Sequence, residues 1–189
     1  MIKTHRRAKL LKAVGFLASS TRFCGVTKLY RLLYLLDFQH FKQTGRSVTG
    51  LDYYAWEMGP VPTKLDGELG EPAGDLLDTV RIESGRLLHH RQRLNVVPQR
   101  GFKFDRSHFS PREIKLLSDL AREHRDSTAE DMAGITNAKG GPWHMTWQEG
   151  QRDNNLIRYD LILETAPDRE RVEQAAREYE QTLKRVGAA

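Results

Sequence analysis

The seven histidines stand at positions 5, 40, 89, 90, 108, 124 and 144, and Cys24 is the only cysteine. There is no H-E-x-x-H and no C-x-x-C spacing, and one cysteine cannot build a structural zinc site without several histidines beside it. His89 and His90 are adjacent, so in an extended segment their rings point to opposite faces. No G-x-S-x-G, P-loop or G-x-G-x-x-G is present, and Gly134, Gly140 and Gly141 suit turns rather than a phosphate cradle. The carboxylate pairs Asp75 with Asp78 and Glu130 with Asp131 read as loop and helix-start residues. Nucleophile, base and stabiliser leave no joint trace, so the expectation is no catalytic residue, no metal and no cofactor.

The chemistry that the chain does offer is that of recognition. The stretch "DYYAWEMGPVPTKL", 52 to 65, gathers aromatic and sulfur side chains beside a rigid turn, and Trp143, His144, Met145 and Trp147 form a second group. Protein interfaces favour Tyr, Trp, Met and Arg at their cores. Alternation over 47 to 58 reads as a strand, with Tyr54, Trp56 and Met58 on one face, directed inward, and Tyr53, Ala55 and Glu57 on the other. Gly59 and Pro60 end that strand, and Pro62 opens a short helix over 62 to 69. The candidate partner-binding residues are Tyr53, Glu57, Met58, Pro62, Lys64, His144 and Trp147.

These groups need a scaffold. The chain has 189 residues, 39% of them hydrophobic and 29% charged, which suits one folded domain with a real core. No run is long and apolar enough for a membrane span, no secretory leader is evident, and a lone cysteine forms no internal disulfide, so the expected compartment is the cytoplasm. Residues 1 to 46 hold ten Lys or Arg against one acid, Asp37, within a total net charge of +5. Such a segment can meet nucleic acid or an acidic partner, or form a solvated helix face. The second helix is too apolar to lie in a DNA groove, which leaves charge alone as the nucleic-acid signal.

The expected elements are mostly helical. Leu10, Leu11, Val14, Leu17 and Ala18 place a helix over 5 to 18. Residues 26 to 44 are apolar nearly all round, the mark of a central buried helix, with Gly45 as its stop. Within it, Asp37 must pair with a cation or cap backbone donors. "TVRIES" and "RLNVV" are short strands of a hairpin-like excursion. Ser110 with Glu113, and Ser127 with Glu130, read as capping boxes. "NLIRYDLIL" fits a strand or a helix start, and a tail helix runs over about 167 to 186. The fold class is α+β, mainly α: a helical domain around the helix at 26 to 44, with a small antiparallel sheet.

"KLYRLLYLLDFQHFKQTGRSVTGLDYYAWEMGPVPTKLDGEL", 28 to 69, resembles the Panacea domain of SocA-like antitoxins, through Lys28, Tyr34, Asp37, His40, Gly50, Tyr54, Trp56, Gly59, Pro60 and Val61. "FSPREIKLLSDLAREHRDSTAEDMAGITNAKGGPW" is similar to the family's later helix pair and supplies Trp143; Asn137 stands where the family pattern has histidine. The resemblance is strongest over 28–69 and 110–148. It implies a single antitoxin domain over 1–189 that binds a co-encoded protein toxin directly. One branch of the family also presents its toxin to a Clp-type protease, and members occur in bacteria and phages. The basic N-terminal segment and the tail helix are the expected partner-specific contacts; oligomeric state is left open.

Overall fold

The computed structural model describes residues 2–71, 74–86, 92–150, 154–164 and 166–185. His89, His90 and Val186 lie outside these residues.

A helix apolar on every side is satisfied only at the centre of a fold. Val26–Thr44 forms α2, in which Leu29, Leu32, Leu33 and Leu36 are fully shielded. The first helix, α1 (Ile2–Ser20), is longer than its apolar stripe, because nothing before His5 or after Ala18 interrupts it until Thr21. It packs along α2 through Leu10, Ala13, Val14 and Leu17.

After α2 the chain turns back on itself. The expected strand over 47 to 58 shrinks to β1 (Tyr54–Trp56), because Val48 and Thr49 are bent around the Asp37 carboxylate. Gly59 and Pro60 do not end the sheet. They begin β2 (Gly59–Val61), which pairs antiparallel with β1 across the two-residue turn Glu57–Met58. Proline is tolerated there because β2 is an edge strand with no neighbour to receive its missing donor. Two short helices follow, α3 (Thr63–Gly70) and α4 (Asp75–Thr79). The two middle strands, β3 (Val80–Arg86) and β4 (Gln92–Pro98), form a separate antiparallel pair. Val96 N–H donates to the Cys24 carbonyl at 2.8 Å, which fastens that pair to the loop before α2.

Helix α5 (Pro111–Glu123) starts with the expected box: Glu113 N–H donates to Ser110 Oγ, and Ser110 N–H donates to Glu113 Oε2. The next helix, α6 (Ala129–Thr136), is capped by Thr128 and Asp131, one residue beyond the expected Ser127 and Glu130. Both pairs satisfy the same spacing. In the structure Thr128 N–H donates to Asp131 Oδ2 and Asp131 N–H donates to Thr128 Oγ1, and the helix buries Met132 and Thr136. Helix α7 (Pro142–Trp147) is short. "NLIRYDLIL" divides into β5 (Asn155–Leu156), which completes a sheet of order β2-β1-β5, and a 3₁₀ turn over Tyr159–Leu163. The tail helix α8 (Arg169–Arg185) lies across the end of α2, burying Val172 and Leu183. The architecture is the expected α+β class, mainly α, with two small antiparallel sheets.

Candidate functional site

The three-stranded sheet is fixed from behind by Asp37, which is fully buried on α2. Val48 N–H and Thr49 N–H donate to its Oδ1 at 2.8 and 2.7 Å; Tyr53 O–H and Thr49 O–H donate to Oδ2, the former at 2.8 Å. Of the two expected fates for this carboxylate, capping of local donors is the one realised. Burial pushes its pKa above the usual aspartate value, and the four hydrogen bonds oppose that shift. The ring of Tyr53 packs edge-on against Tyr34 and Phe38, and Tyr159 stacks on Phe38 at 4.5 Å.

This hub reverses the expected faces of the strand. Tyr53 and Ala55 are fully buried, while Tyr54 is half-buried, Trp56 is 38% exposed and Met58 is 70% exposed. Tyr53 is thus removed from the partner-binding candidates, and Trp56 and Met58 face solvent. The period of two holds, with the phase opposite to the expected one. A tyrosine can serve either face, and here its hydroxyl is drawn inward by an acid sixteen residues away. Pro62 is also buried and offers no surface.

The turn between β1 and β2 is held at both ends. Trp143 Nε1–H donates to the Trp56 carbonyl at 3.0 Å. The buried Arg31 guanidinium donates to the Met58 carbonyl and, at 2.9 Å, to Thr136 Oγ1. Desolvation lowers the pKa of Arg31, with the Glu130 carboxylate opposing. Gly59 takes φ +126°, and a Cβ there would lie 3.0 Å from Asn137 Oδ1 and 3.2 Å from an Arg31 nitrogen. Asn137, at the departure from the family pattern, ends α6 and accepts from Thr136 O–H at 2.9 Å. The Trp56 ring is itself fixed, its Nε1–H donating to Asn154 Oδ1 at 2.9 Å. Trp147 stacks on Trp143 at 5.0 Å and so belongs to the support rather than the surface; His144 beside it is half-buried.

In register, Tyr54 stands between Val61 and Leu156, so these three and Trp56 share the open face of the sheet. Leu156 is 48% exposed, as is Ile135 on α6, which packs against β2. The sequence reading passed over Leu156, Ile135 and Arg31. Only Arg31 left a signal, as a cation in the middle of an apolar helix.

The remaining motif residues are structural. Lys28 Nζ donates to the Arg22 and Arg125 carbonyls at 2.8 and 3.2 Å, joining the loop before α2 to the end of α5. His40 Nδ1 lies 2.7 Å from the Arg46 carbonyl oxygen. Gly50 carries the Arg6 side chain against it. Glu57 and Lys64 are exposed.

Part of the basic segment is engaged within the fold, while Arg22, Lys42 and Arg46 are exposed. Arg7 bridges Glu68 and Asp75, each at 2.6 Å, and Lys9 bridges Glu113 at 2.6 Å. Arg6 and Arg46 both lie over the Tyr179 ring of α8, 5.8 and 4.5 Å from its centre. Lys28 and Arg31 are buried. The two expected outer contacts, basic segment and tail helix, thus meet each other.

Among the described residues no group of three or more His, Cys, Asp or Glu is placed to hold a metal ion, and no helix is long and apolar enough to cross a membrane. Comparison with curated proteins and with solved structures gives no match. The family model for the SocA-like antitoxin, Panacea domain, matches residues 29–144, more than half of the chain, including Arg31, Thr136 and Trp143 around the turn from Trp56 to Gly59. The chain therefore belongs to the SocA-like antitoxin family, as a Panacea-domain protein.

Proposed function

We propose that this chain neutralises a co-encoded protein toxin by forming a direct complex with it, and that the toxin docks on the tip and open face of the β2-β1-β5 sheet. The observation that carries the reading is a pair of exposed anchors, Trp56 and Met58, on a turn whose flanking carbonyls are both held from inside by Trp143 and Arg31. A surface pre-ordered in this way loses little conformational freedom on binding, so more of its contact energy appears as affinity. Partly exposed Trp and Met beside such a turn have the composition of interface cores.

Coexpression of the protein encoded beside it should stop growth in the absence of this chain and permit growth in its presence, with the two proteins co-purifying. Met58→Ala and Trp56→Ala should each weaken the complex by about 2 kcal/mol, roughly 30-fold. Met58→Ala should leave the melting temperature unchanged, since its side chain is mostly in solvent. No growth arrest to relieve, or full neutralisation by the double variant, would sink the assignment. Presentation of the bound toxin to a Clp-type protease is the finer expectation, read out as toxin turnover in cells with and without that protease.

A further inference from the structure

Two grooves of opposite charge flank the open sheet face. One, of about 390 Å³, is lined by Arg6, Arg7, Leu10, Tyr54 and Lys64 among others. The second, of about 430 Å³, runs between α8 and the segment from Leu156 to Leu163, over Phe41 and Ile157. Asp52 lies on the wall of both. Internal pairs cancel much of the charge. Arg7 is committed to Glu68 and Asp75, Arg158 to Asp160, and Glu173 to Arg169 and Arg177. Arg6 is engaged by a neutral tyrosine, and Lys64, Asp52 and Glu180 make no ion pair among the described residues. The first groove is left with the cations of Arg6 and Lys64 and the second with the carboxylate of Glu180, while the Asp52 carboxylate stands between them on the shared wall.

Resting on the toxin-binding reading above, we propose that the partner crosses the open face as a segment with an apolar anchor over Tyr54 and Leu156, an acidic residue in the Arg6–Lys64 groove and a basic residue in the Glu180 groove. Tyr54 lines the first groove, Leu156 lines the second, and the two residues are register partners on adjacent strands, so the apolar stripe and both charged grooves form one continuous path. Complementary charge at a rim speeds encounter and fixes orientation more than it adds affinity. The arrangement therefore gives the partner segment a direction: acid toward α1 and α3, base toward α8.

The test uses the full chain and the purified co-encoded protein, with association and dissociation rates measured at low and high salt. Lys64→Glu and Glu180→Lys are the variants, because both side chains are exposed and neither makes an ion pair among the described residues. Lys103→Glu, an equal charge change at another exposed position, is the control. Each groove variant should slow association about tenfold at low salt, with the difference fading as salt rises, and the control should not. Unchanged rates in both groove variants, with wild-type binding intact, would overturn the groove assignment and leave the toxin-binding reading standing. Absence of any wild-type complex would instead remove that reading. Two other outcomes overturn the proposal by giving the grooves a different occupant. One is a dimer of the chain alone that Lys64→Glu dissolves in sedimentation; the other is retention of a labelled 30-base DNA duplex that the same variant abolishes.

Discussion

At the scale of single residues, Asp37 does the most with the least exposure. It gathers four donors in a site closed to water. Asp37→Ala leaves those donors without acceptors and should cost about 3 kcal/mol or more in a urea titration. Asp37→Asn keeps an oxygen for the two backbone N–H groups and should be milder. The two can be separated further by pH. Burial holds the folded carboxyl above the usual aspartate value of about 3.9, so the folded chain takes up this proton at a higher pH than the unfolded chain does. The stability contributed by this group is fully present below the unfolded value and is lost as pH rises through the folded one. Wild type should thus gain stability relative to Asp37→Asn as pH falls through the raised folded value toward the unfolded one, by at most about 1.4 kcal/mol per pH unit inside that window. A constant difference between the two proteins across that range would refute the raised value.

At the scale of elements, two junctions decide the architecture. Gly45 ends α2 at φ +70°, and a Cβ there would meet the α8 backbone at 2.7 Å, at Val172 O and Ala176 N. Gly45→Ala combines left-handed strain of about 1–2 kcal/mol with a clash that moves α8 away. Amide exchange should accelerate across Arg169–Arg185 while the strands of the middle hairpin stay protected. The other junction is the turn between β1 and β2. Arg31→Met changes no exposed atom, yet it removes the donor that holds Met58 O. Partner affinity should fall about tenfold through loss of order in the tip, and exchange at Met58 and Gly59 should quicken. Equal affinity with a quickened tip would show that pre-ordering is irrelevant to binding. The helices were legible because their signals are local: an apolar girdle over Val26–Thr44, and Ser110 with Glu113 three residues apart. The sheet faces were not, because Tyr-Tyr-Ala-Trp-Glu-Met fits either phase, and the group that chooses, Asp37, sits on a different element. Likewise the exposed Leu156 follows from its pairing with Tyr54, a contact about a hundred residues long that no local pattern announces.

At the scale of the whole molecule, charge is organised differently from its distribution along the chain. A segment with ten cations and one acid looks like an arm for phosphates. In three dimensions Arg7 and Lys9 are neutralised by carboxylates, Lys28 and Arg31 are enclosed, and Arg6 and Arg46 brace Tyr179. Duplex DNA should therefore be held weakly, with a shallow dependence of log affinity on log salt, a slope of about 2 or less; a slope near 6 would mean that the folded surface still tracks phosphates. The same organisation frees the tip. Arg31 and Trp143 grip backbone carbonyls, groups that every amino acid carries, and the side chains of Glu57 and Met58 take no part in that grip. Folding is indifferent to what those two letters spell. Under the docking proposed above, a change of partner can be written into those two positions while Arg31 and Trp143 keep the shape of the loop.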